Sequence, residues 1–145
     1  MGDSDQLPSV GAGNVLGDLI NSNKFQTVEL NEIFRQSMKS LIVTNAHKIV
    51  NGVAPELSVR DNDFFFIGEN NNEIAADLII SLVSKRLPKS YSISPIYDIQ
   101  ILCPGRKGSL GTIELNKRLR EVINPAQKGK AETKINGVVF RTGDK

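Results

Sequence analysis

Short apolar runs alternate with longer stretches of helical periodicity, and this alternation constrains the fold more than any other feature of the chain. The apolar runs occupy residues 27–30, 63–69 and 96–104, and their length and composition are typical of strands. The middle run, DFFFIGE, is continuously apolar, which is typical of a strand buried on both faces. The order strand, helix, strand, helix predicts an α/β fold in which helices pack on a parallel sheet.

Four stretches between and around these runs have the spacing of amphipathic helices. They cover residues 14–21, 37–52, 70–88 and 110–123. In the third stretch, Asn70 and Glu73 have the spacing of a capping box, and Pro88 is expected to end the helix. The periodicity predicts that one face of each long helix points inward. These inward residues are Met38, Leu41, Ile42 and Ile49 in the second helix, Ala75, Leu78, Ile79, Leu82 and Val83 in the third, and Leu115, Leu119, Val122 and Ile123 in the fourth.

Both ends of the chain lie in segments that normally adjoin further structure. The opening stretch GDSDQLPSVGAG (2–13) is a Gly- and Pro-rich loop, and such loops usually follow a strand or helix that fixes them. One interpretation is that this stretch is a disordered tail. The interpretation we favour is that the chain is a fragment that starts just before a functional loop. The polar, basic stretch 124–134 reads as a linker, and GVVFRTGDK (137–145) begins a strand.

The charge of the chain is unevenly distributed. Residues 1–84 carry 5 basic and 11 acidic residues (net −6), whereas residues 85–145 carry 13 and 5 (net +8). A basic half indicates a polyanionic partner such as nucleic acid, although a solvated surface would give the same count. Cys103 is the only cysteine, so the chain has no internal disulfide, and we expect a cytoplasmic protein without a membrane partner. One cysteine and one histidine, His47, cannot form a zinc site.

Two glycine-rich stretches are candidate anion-binding loops. GAGNVLGD (11–18) approaches the spacing of a dinucleotide-binding loop, but Pro8 obstructs the strand that such a loop needs in front of it. CPGRKGSLGT (103–112) lies between a strand and a helix and carries Arg106 and Lys107. Close backbone approach, a helix N-terminus and two cations favour a phosphate contact there, with an ordinary turn as the alternative. The chain contains no G-x-x-x-x-G-K-[ST] phosphate-binding loop.

A third candidate is Arg35, in the stretch LNEIFRQ ahead of the second helix. An arginine held at a domain edge can enter a neighbouring nucleotide site as an arginine finger. A plain surface arginine is the alternative.

Taken together, these segments resemble one family, the RecD-type superfamily 1 DNA helicases. That family includes the alpha subunit of exodeoxyribonuclease V and stand-alone RecD/TraA-type helicases. The opening loop with the helix after it is similar to the family's motif III, and ELNEIFRQSMKSLIVTNAHKIVNGVAP is similar to its motif IV. IQILCPGRKGSLGTIELNKRLREVINP and GVVFRTGDK follow in the family's order. The chain departs from the pattern at Ala12, where proline is frequent, and at Cys103, where a hydroxyl residue is common.

The resemblance implies a RecA-like, P-loop NTPase-type fold, a three-layer parallel sheet with helices on both faces. Residues 1–24 would end the first motor lobe, residues 25–124 would form part of an incomplete second lobe, and residues 125–145 would begin a small barrel-like insertion. The implied function is ATP-dependent, 5′-to-3′ helicase activity in DNA recombination and repair. The alternative from a different class is a non-catalytic α/β module that binds nucleic acid or a protein, and a nicotinamide-dependent enzyme is a third option.

The resemblance also implies roles for individual residues. Gln6 and Asp3 would belong to the nucleotide site, with Gln6 sensing the γ-phosphate and Arg35 stabilising charge on the transferring phosphoryl group. Single-stranded DNA would lie along Pro104, Gly105, Arg106 and Lys107. His47 would be a structural residue, or would approach the DNA or the nucleotide.

The expected cofactors are ATP and Mg²⁺ in the full-length protein, with none bound to this fragment, which should be inactive alone. The expected partners are single-stranded DNA and the remainder of the helicase chain. Whether exodeoxyribonuclease V subunits are also partners stays open. Unpaired sheet edges should favour self-association of the fragment.

Overall fold

A computed structural model describes residues 2–7, 10–30 and 39–144 of the chain. These residues fall into two compact units, residues 1–67 and residues 68–145.

The described residues of the first unit include two α-helices, and both begin at a polar capping residue. Helix α1 spans Val15–Asn21, and the Asn14 side chain accepts a hydrogen bond from the Gly17 amide. Helix α2 spans Leu41–Val50, with Ser40 as its cap. Asparagine and serine are favoured there because their side-chain oxygens satisfy amides that have no partner within the helix. Both helices were predicted, and both are confirmed.

The inward face predicted for the second helix is wrong at Ile42 and Ile49, whereas Leu41 is half-buried. Ile42 and Ile49 are more than half exposed, whereas the fully buried residue of α2 is the polar Asn45. Burial of a polar side chain is stable only when its hydrogen bonds are made, and Asn45 makes two with the backbone of Glu56, at 2.7 and 2.9 Å. Met38 lies outside the described residues.

The second unit is built around a helical layer. Its first helices are α3 (Asn72–Ser81) and α4 (Leu87–Tyr91), and its longest helix is α5 (Thr112–Ile123). A π-helical turn, Leu82–Arg86, joins α3 to α4. The cap of α3 is Asn71 rather than Asn70, and its side chain accepts from the amides of Glu73 and Ile74.

The helix continues past Pro88, contrary to the prediction that it would end there. A proline inside an α-helix removes one hydrogen bond and its ring collides with the preceding turn. In the π turn, the amide of Leu87 bonds to the carbonyl of Leu82, five residues back. Pro88 therefore lies in the first turn of α4, where its missing N–H is tolerated. The helix ends at Tyr91, and Ser92 after it adopts a left-handed conformation.

The core of the second unit lies between α3 and α5. Its buried apolar residues are Ala76, Val83, Leu115 and Leu119, and Ile79, Ile80, Ile99, Ile101, Cys103, Leu110 and Ile123 pack around them. The inward stripe of α3 therefore starts at Ala76, one position after the predicted Ala75, and Val122 is nearly half exposed rather than inward. Cys103 is half-buried, as a small apolar residue would be.

A β-hairpin follows α5. Strand β1 (Glu132–Ile135) pairs antiparallel with β2 (Val138–Arg141). The turn between them is Asn136-Gly137, and both residues have positive φ, which matches the twist of a tight hairpin. The predicted final strand is confirmed, and the stretch interpreted as a linker contributes β1 at its end.

The strands predicted at 27–30, 63–69 and 96–104 are not paired among the described residues, whose sheet is the two-stranded hairpin alone. A strand requires neighbours to satisfy its backbone groups. Phe65, Phe66 and Ile67 are each more than half exposed, because nothing in the described part of the first unit covers them. In the third segment, Ile99, Ile101 and Cys103 pack on the core, whereas the intervening Gln100 and Leu102 are exposed, Leu102 by 86%. That alternation is the side-chain pattern of a strand.

Among the described residues, no helix combines the length and apolar character needed to cross a bilayer.

Candidate functional site

The opening loop brings two of the predicted site residues together. The Gln6 side-chain amide donates to a carboxylate oxygen of Asp3 at 2.9 Å, and the other carboxylate oxygen of Asp3 accepts from the amide of Asp5 at 3.0 Å. Both side chains are exposed. The carboxamide of Gln6 retains a second N–H and an acceptor oxygen, so it can also bind a phosphate oxygen or a water molecule.

The predicted arginine finger, Arg35, lies outside the described residues. Its placement relative to Gln6 therefore stays a prediction. The structure does describe what holds the start of α2, the helix that follows Arg35 along the chain.

Asp63 clamps the N-terminus of α2. Its carboxylate accepts from the Ser40 hydroxyl at 2.5 Å, from the Leu41 amide at 2.8 Å and from the Ile42 amide at 3.2 Å. Asn62 adds a hydrogen bond to the carbonyl of Lys39 at 3.2 Å. The hydrogen bond from Ser40, together with those from the helix amides, holds the pKa of Asp63 below its ordinary value of 3.8. The first residue of the predicted strand 63–69 is therefore a helix-capping residue.

This clamp predicts how stability depends on pH. The pKa of Asp63 is lower in the folded state than its ordinary value of 3.8. The charged carboxylate therefore contributes fully to folding stability above pH 3.8, and this contribution is lost as the pH falls through the lower pKa of the folded state. Asp63→Asn should therefore lower the thermal unfolding midpoint at neutral pH and make that midpoint less sensitive to acid. Circular dichroism melts from neutral pH to about pH 3 measure this. Asp61→Asn, which removes the same charge two positions away, is the matched control and should keep the acid sensitivity of the unaltered protein.

The predicted DNA-contacting residues form an exposed loop against the start of α5. Pro104, Gly105, Arg106 and Lys107 are all exposed. The carbonyl of Gly105 accepts from the amide of Thr112 at 3.1 Å, and the carbonyl of Arg106 accepts from the amide of Ile113 at 3.2 Å. The first turn of α5 therefore fixes the backbone that carries the two cations.

Gly111 makes this close approach possible. A Cβ at this position would lie 2.5 Å from the carbonyl oxygen of Lys107 and 2.6 Å from that of Arg106, which is far inside van der Waals contact. Only glycine allows the loop to press against the helix start at this distance. Gly108, within the same loop, has a φ of +86°, a conformation that side chains disfavour. Two of the three glycines of the motif thus have a defined geometric role.

An ion-pair network lies beside the loop. Arg118 of α5 reaches Glu73 of α3 at 2.7 Å, Glu114 at 2.9 Å and Asp77 at 3.7 Å. Hydrogen bonds from Arg118 and Ser109 hold the pKa of Glu73 below its ordinary 4.5, and the carboxylates of Glu114 and Glu73 raise the pKa of Arg118. The network could not be predicted from the sequence, because its members lie on two helices that are distant in the chain.

A second polar anchor joins the hairpin to the end of α5. The Asn124 side chain donates to the carbonyl of Thr142 at 3.2 Å and to the carboxylate of Asp144 at 2.8 Å. Arg141 is buried, pairs with Glu132 at 2.5 Å and donates to the carbonyl of Asn124. These contacts fix the hairpin on the helix end.

The single histidine is not packed in a core. His47 lies on α2 with its side chain exposed, so the structural interpretation of His47 is not supported, and its carbonyl accepts from Asn51 at 2.8 Å. Among the described residues, no group of three or more His, Cys, Asp or Glu side chains is arranged to hold a metal ion.

Comparison with known proteins gives two matches. A family model described as "AAA domain" matches residues 1–68. The ATP-dependent RecD2 DNA helicase of Deinococcus radiodurans is 30% identical over 129 residues, which cover 89% of this chain and 16% of that protein. This chain is a RecD-type helicase segment.

The match to the family model supports a P-loop, RecA-like α/β fold for this RecD-type chain. The family model includes the positions of Asp3, Gln6 and Arg35. The chain spans about one sixth of the length of the relative it matches.

Proposed function

We propose that this RecD-type segment works within an ATP-dependent DNA helicase that moves 5′ to 3′ along single-stranded DNA in recombination and repair. The observation that carries the proposal is the 30% identity to an ATP-dependent RecD2 DNA helicase over 89% of the chain. Two features of the structure agree with it: the Gln6–Asp3 pair in the opening loop, and the exposed cation pair on a fixed loop.

In the proposed organisation, residues 1–24 end the first motor lobe, residues 25–124 form part of the second, and residues 125–145 begin the insertion. The three extended apolar segments become parallel strands once neighbouring strands are present. The alternating burial of Ile99, Ile101 and Leu102 supports this, because one face of that segment already packs on helices. In the first unit, Phe65 and Phe66 are exposed, and a neighbouring layer of the proposed lobe would cover them.

The opening loop has the chemistry of a nucleotide sensor rather than of a phosphate cradle. A neutral carboxamide such as that of Gln6 can detect a γ-phosphate by forming one hydrogen bond with it. A carboxylate such as Asp3 repels phosphate directly, so it suits a contact through Mg²⁺ or its water shell. The hydrogen bond from Gln6 to Asp3 orients both groups. ATP and Mg²⁺ are therefore compatible with these two residues, and the remainder of the phosphate site belongs to other parts of the helicase.

Arg35 would supply positive charge to the transferring phosphoryl group. A guanidinium that reaches the phosphates only when the lobes close makes hydrolysis depend on closure. Arg106 and Lys107 would bind the DNA backbone without reading sequence, which is what a translocating motor requires. The second lobe would thus carry one side chain that acts on the nucleotide, Arg35, and two that bind DNA, Arg106 and Lys107.

The test is an unwinding assay on the full-length protein. Duplexes with a 5′ single-stranded overhang should be unwound when ATP and Mg²⁺ are added, and matched duplexes with a 3′ overhang should not. Strand separation is followed by the fluorescence of a quenched dye pair. Equal unwinding of both substrates would contradict the polarity. Binding of DNA without any ATP-dependent unwinding would instead support a non-catalytic nucleic-acid-binding module.

A further inference from the structure

A groove of about 800 Å³ lies within the second unit, between α5, the extended segment 95–101 and the hairpin. Apolar side chains from all three elements line it, among them Ile99, Leu119, Val138 and Phe140. The Phe140 side chain is only half covered, at 48% exposure. The volume is within the range of ligand-binding clefts, and an exposed apolar surface of this kind marks an interaction site.

Two cations stand at the edge of this groove. Arg106 comes from the glycine-rich loop and Lys117 from α5. Both side chains are exposed, and neither makes an ion pair or a hydrogen bond within the part of the chain that the structure describes. Asp144 also lines the groove, but its carboxylate already accepts from the Asn124 side chain and from the Arg141 amide, each at 2.8 Å. The groove thus offers unpaired positive charge beside an apolar lining.

The hairpin wall of the groove is fixed to α5. Arg120 donates to the carbonyl of Val139, and the Asn124 side chain donates to the carbonyl of Thr142 at 3.2 Å. These hydrogen bonds hold the strand that carries Phe140 against the helix. A ring on a fixed strand loses little freedom when a ligand packs on it, which lowers the entropic cost of binding.

We propose that this groove binds the bases of single-stranded DNA whose backbone contacts the loop, and this inference rests on the proposed function. Proteins that hold single strands without reading sequence combine cations that follow the phosphates with aromatic rings on which bases stack. Arg106 belongs both to the loop and to the groove, so a strand bound at the loop can continue along α5. Lys117 then contacts a further phosphate, and Phe140 supplies the stacking ring.

Replacing Phe140 with leucine distinguishes base stacking from ordinary apolar packing. Leucine keeps a large apolar side chain but has no aromatic face. Phe140→Leu in the full-length protein should bind a fluorescent oligothymidylate strand about 5-fold or more weakly, which is the lower end of the range for base–aromatic stacking. Phe140→Tyr should bind normally. The slope of log K against log salt should stay the same in both variants, because stacking displaces no counterions.

Lys117→Ala tests the phosphate contact in the same titrations, performed at several salt concentrations below the melting temperature of each variant. The slope of log K against log salt should fall by about 0.7, which corresponds to about 5-fold weaker binding at about 0.1 M salt. Two matched controls lie in the same unit outside the groove lining, the exposed Lys128 and the exposed Ile135 of the hairpin. Lys128→Ala and Ile135→Ala should bind as the unaltered protein does, and losses equal to those of the groove variants would overturn the proposal.

The competing occupant of the groove is another segment of the helicase. In that case Phe140→Leu and Lys117→Ala should bind DNA normally, while Phe140→Ala should lower the thermal unfolding midpoint of the full-length protein. This combination would overturn the proposal. Weaker binding in Lys117→Ala alone would limit the contact to the backbone and overturn the binding of bases.

The loop variant separates this inference from the proposed function. If Arg106→Ala/Lys107→Ala lowers the salt slope while the variants of Phe140 and Lys117 bind normally, the loop binds DNA and only the groove assignment is wrong. If the loop variant also binds normally, the proposed DNA contact itself is wrong.

Discussion

Replacing Arg35 with alanine in the full-length protein is expected to lower DNA-stimulated ATP turnover by about 10³–10⁵-fold, the range measured for arginine fingers. The affinity for single-stranded DNA should stay unchanged, because the proposed role of Arg35 is to stabilise charge that develops on the phosphoryl group during transfer. Phosphate release measured with saturating oligothymidylate gives the turnover, and fluorescence anisotropy gives the DNA affinity.

Two further variants make this result specific. Arg35→Lys should restore little activity, because a compact ammonium does not reproduce the planar fork of a guanidinium. Arg60→Ala removes an exposed arginine from the same unit and should keep normal turnover. Normal turnover in Arg35→Ala would disprove the arginine-finger assignment. An equal loss of DNA affinity would instead indicate that Arg35 contributes to the DNA path or to folding.

The helices were predictable because their signals are local. Caps such as Asn14 and Ser40 act within one turn of the helix that they begin. The apolar spacing of α5 likewise placed Leu115 and Leu119 in the core. The hairpin was predicted only as a single strand, although Asn136-Gly137 is a strong turn signal. Local signals therefore gave the type and approximate bounds of these elements.

The strands were predicted from composition, and their pairing depends on neighbours distant in the sequence. Leu102 is apolar in the sequence and almost fully exposed in the structure, because its partner layer is not part of the second unit. The same reasoning explains the exposure of Phe65 and Phe66. A sequence pattern indicates that a segment is suited to a sheet, but it does not identify the strand with which that segment pairs.

The polar anchors could not be predicted because each joins segments far apart in the chain. Asn45 binds the backbone of Glu56, Asp63 caps a helix that begins at Leu41, and Arg118 reaches Glu73. Nothing in the local sequence distinguishes these side chains from ordinary surface residues. For the candidate site, the glycine motif predicted a loop between a strand and a helix where a phosphate could approach, whereas the close packing of that loop on the start of α5 at Gly111 came only from the structure.

The second large effect is expected for Arg106→Ala/Lys107→Ala in the full-length protein. Each phosphate contact on a single strand contributes about 0.7 to the slope of log K against log salt, so the loss of two contacts should lower that slope by about 1.4. At about 0.1 M salt, this corresponds to about 25-fold weaker binding. Titration of a fluorescent oligothymidylate strand at several salt concentrations measures both quantities.

The matched control for this variant is Lys85→Ala/Arg86→Ala. It removes the same two residue types, also adjacent and exposed, from the turn before α4. If DNA is held only by a general attraction to the basic half of the chain, both variants should weaken binding similarly. Long-range electrostatic attraction depends on the net charge, which falls by the same amount in both variants. If the two side chains contact the DNA backbone directly, only Arg106→Ala/Lys107→Ala should change the slope of log K against log salt. The reason is that this slope counts only the ions that phosphate contacts displace. Equal changes in both variants would reduce the glycine-rich loop to one part of a diffuse basic surface. Such a result would also leave the close packing of that loop at Gly111 without a role in DNA binding.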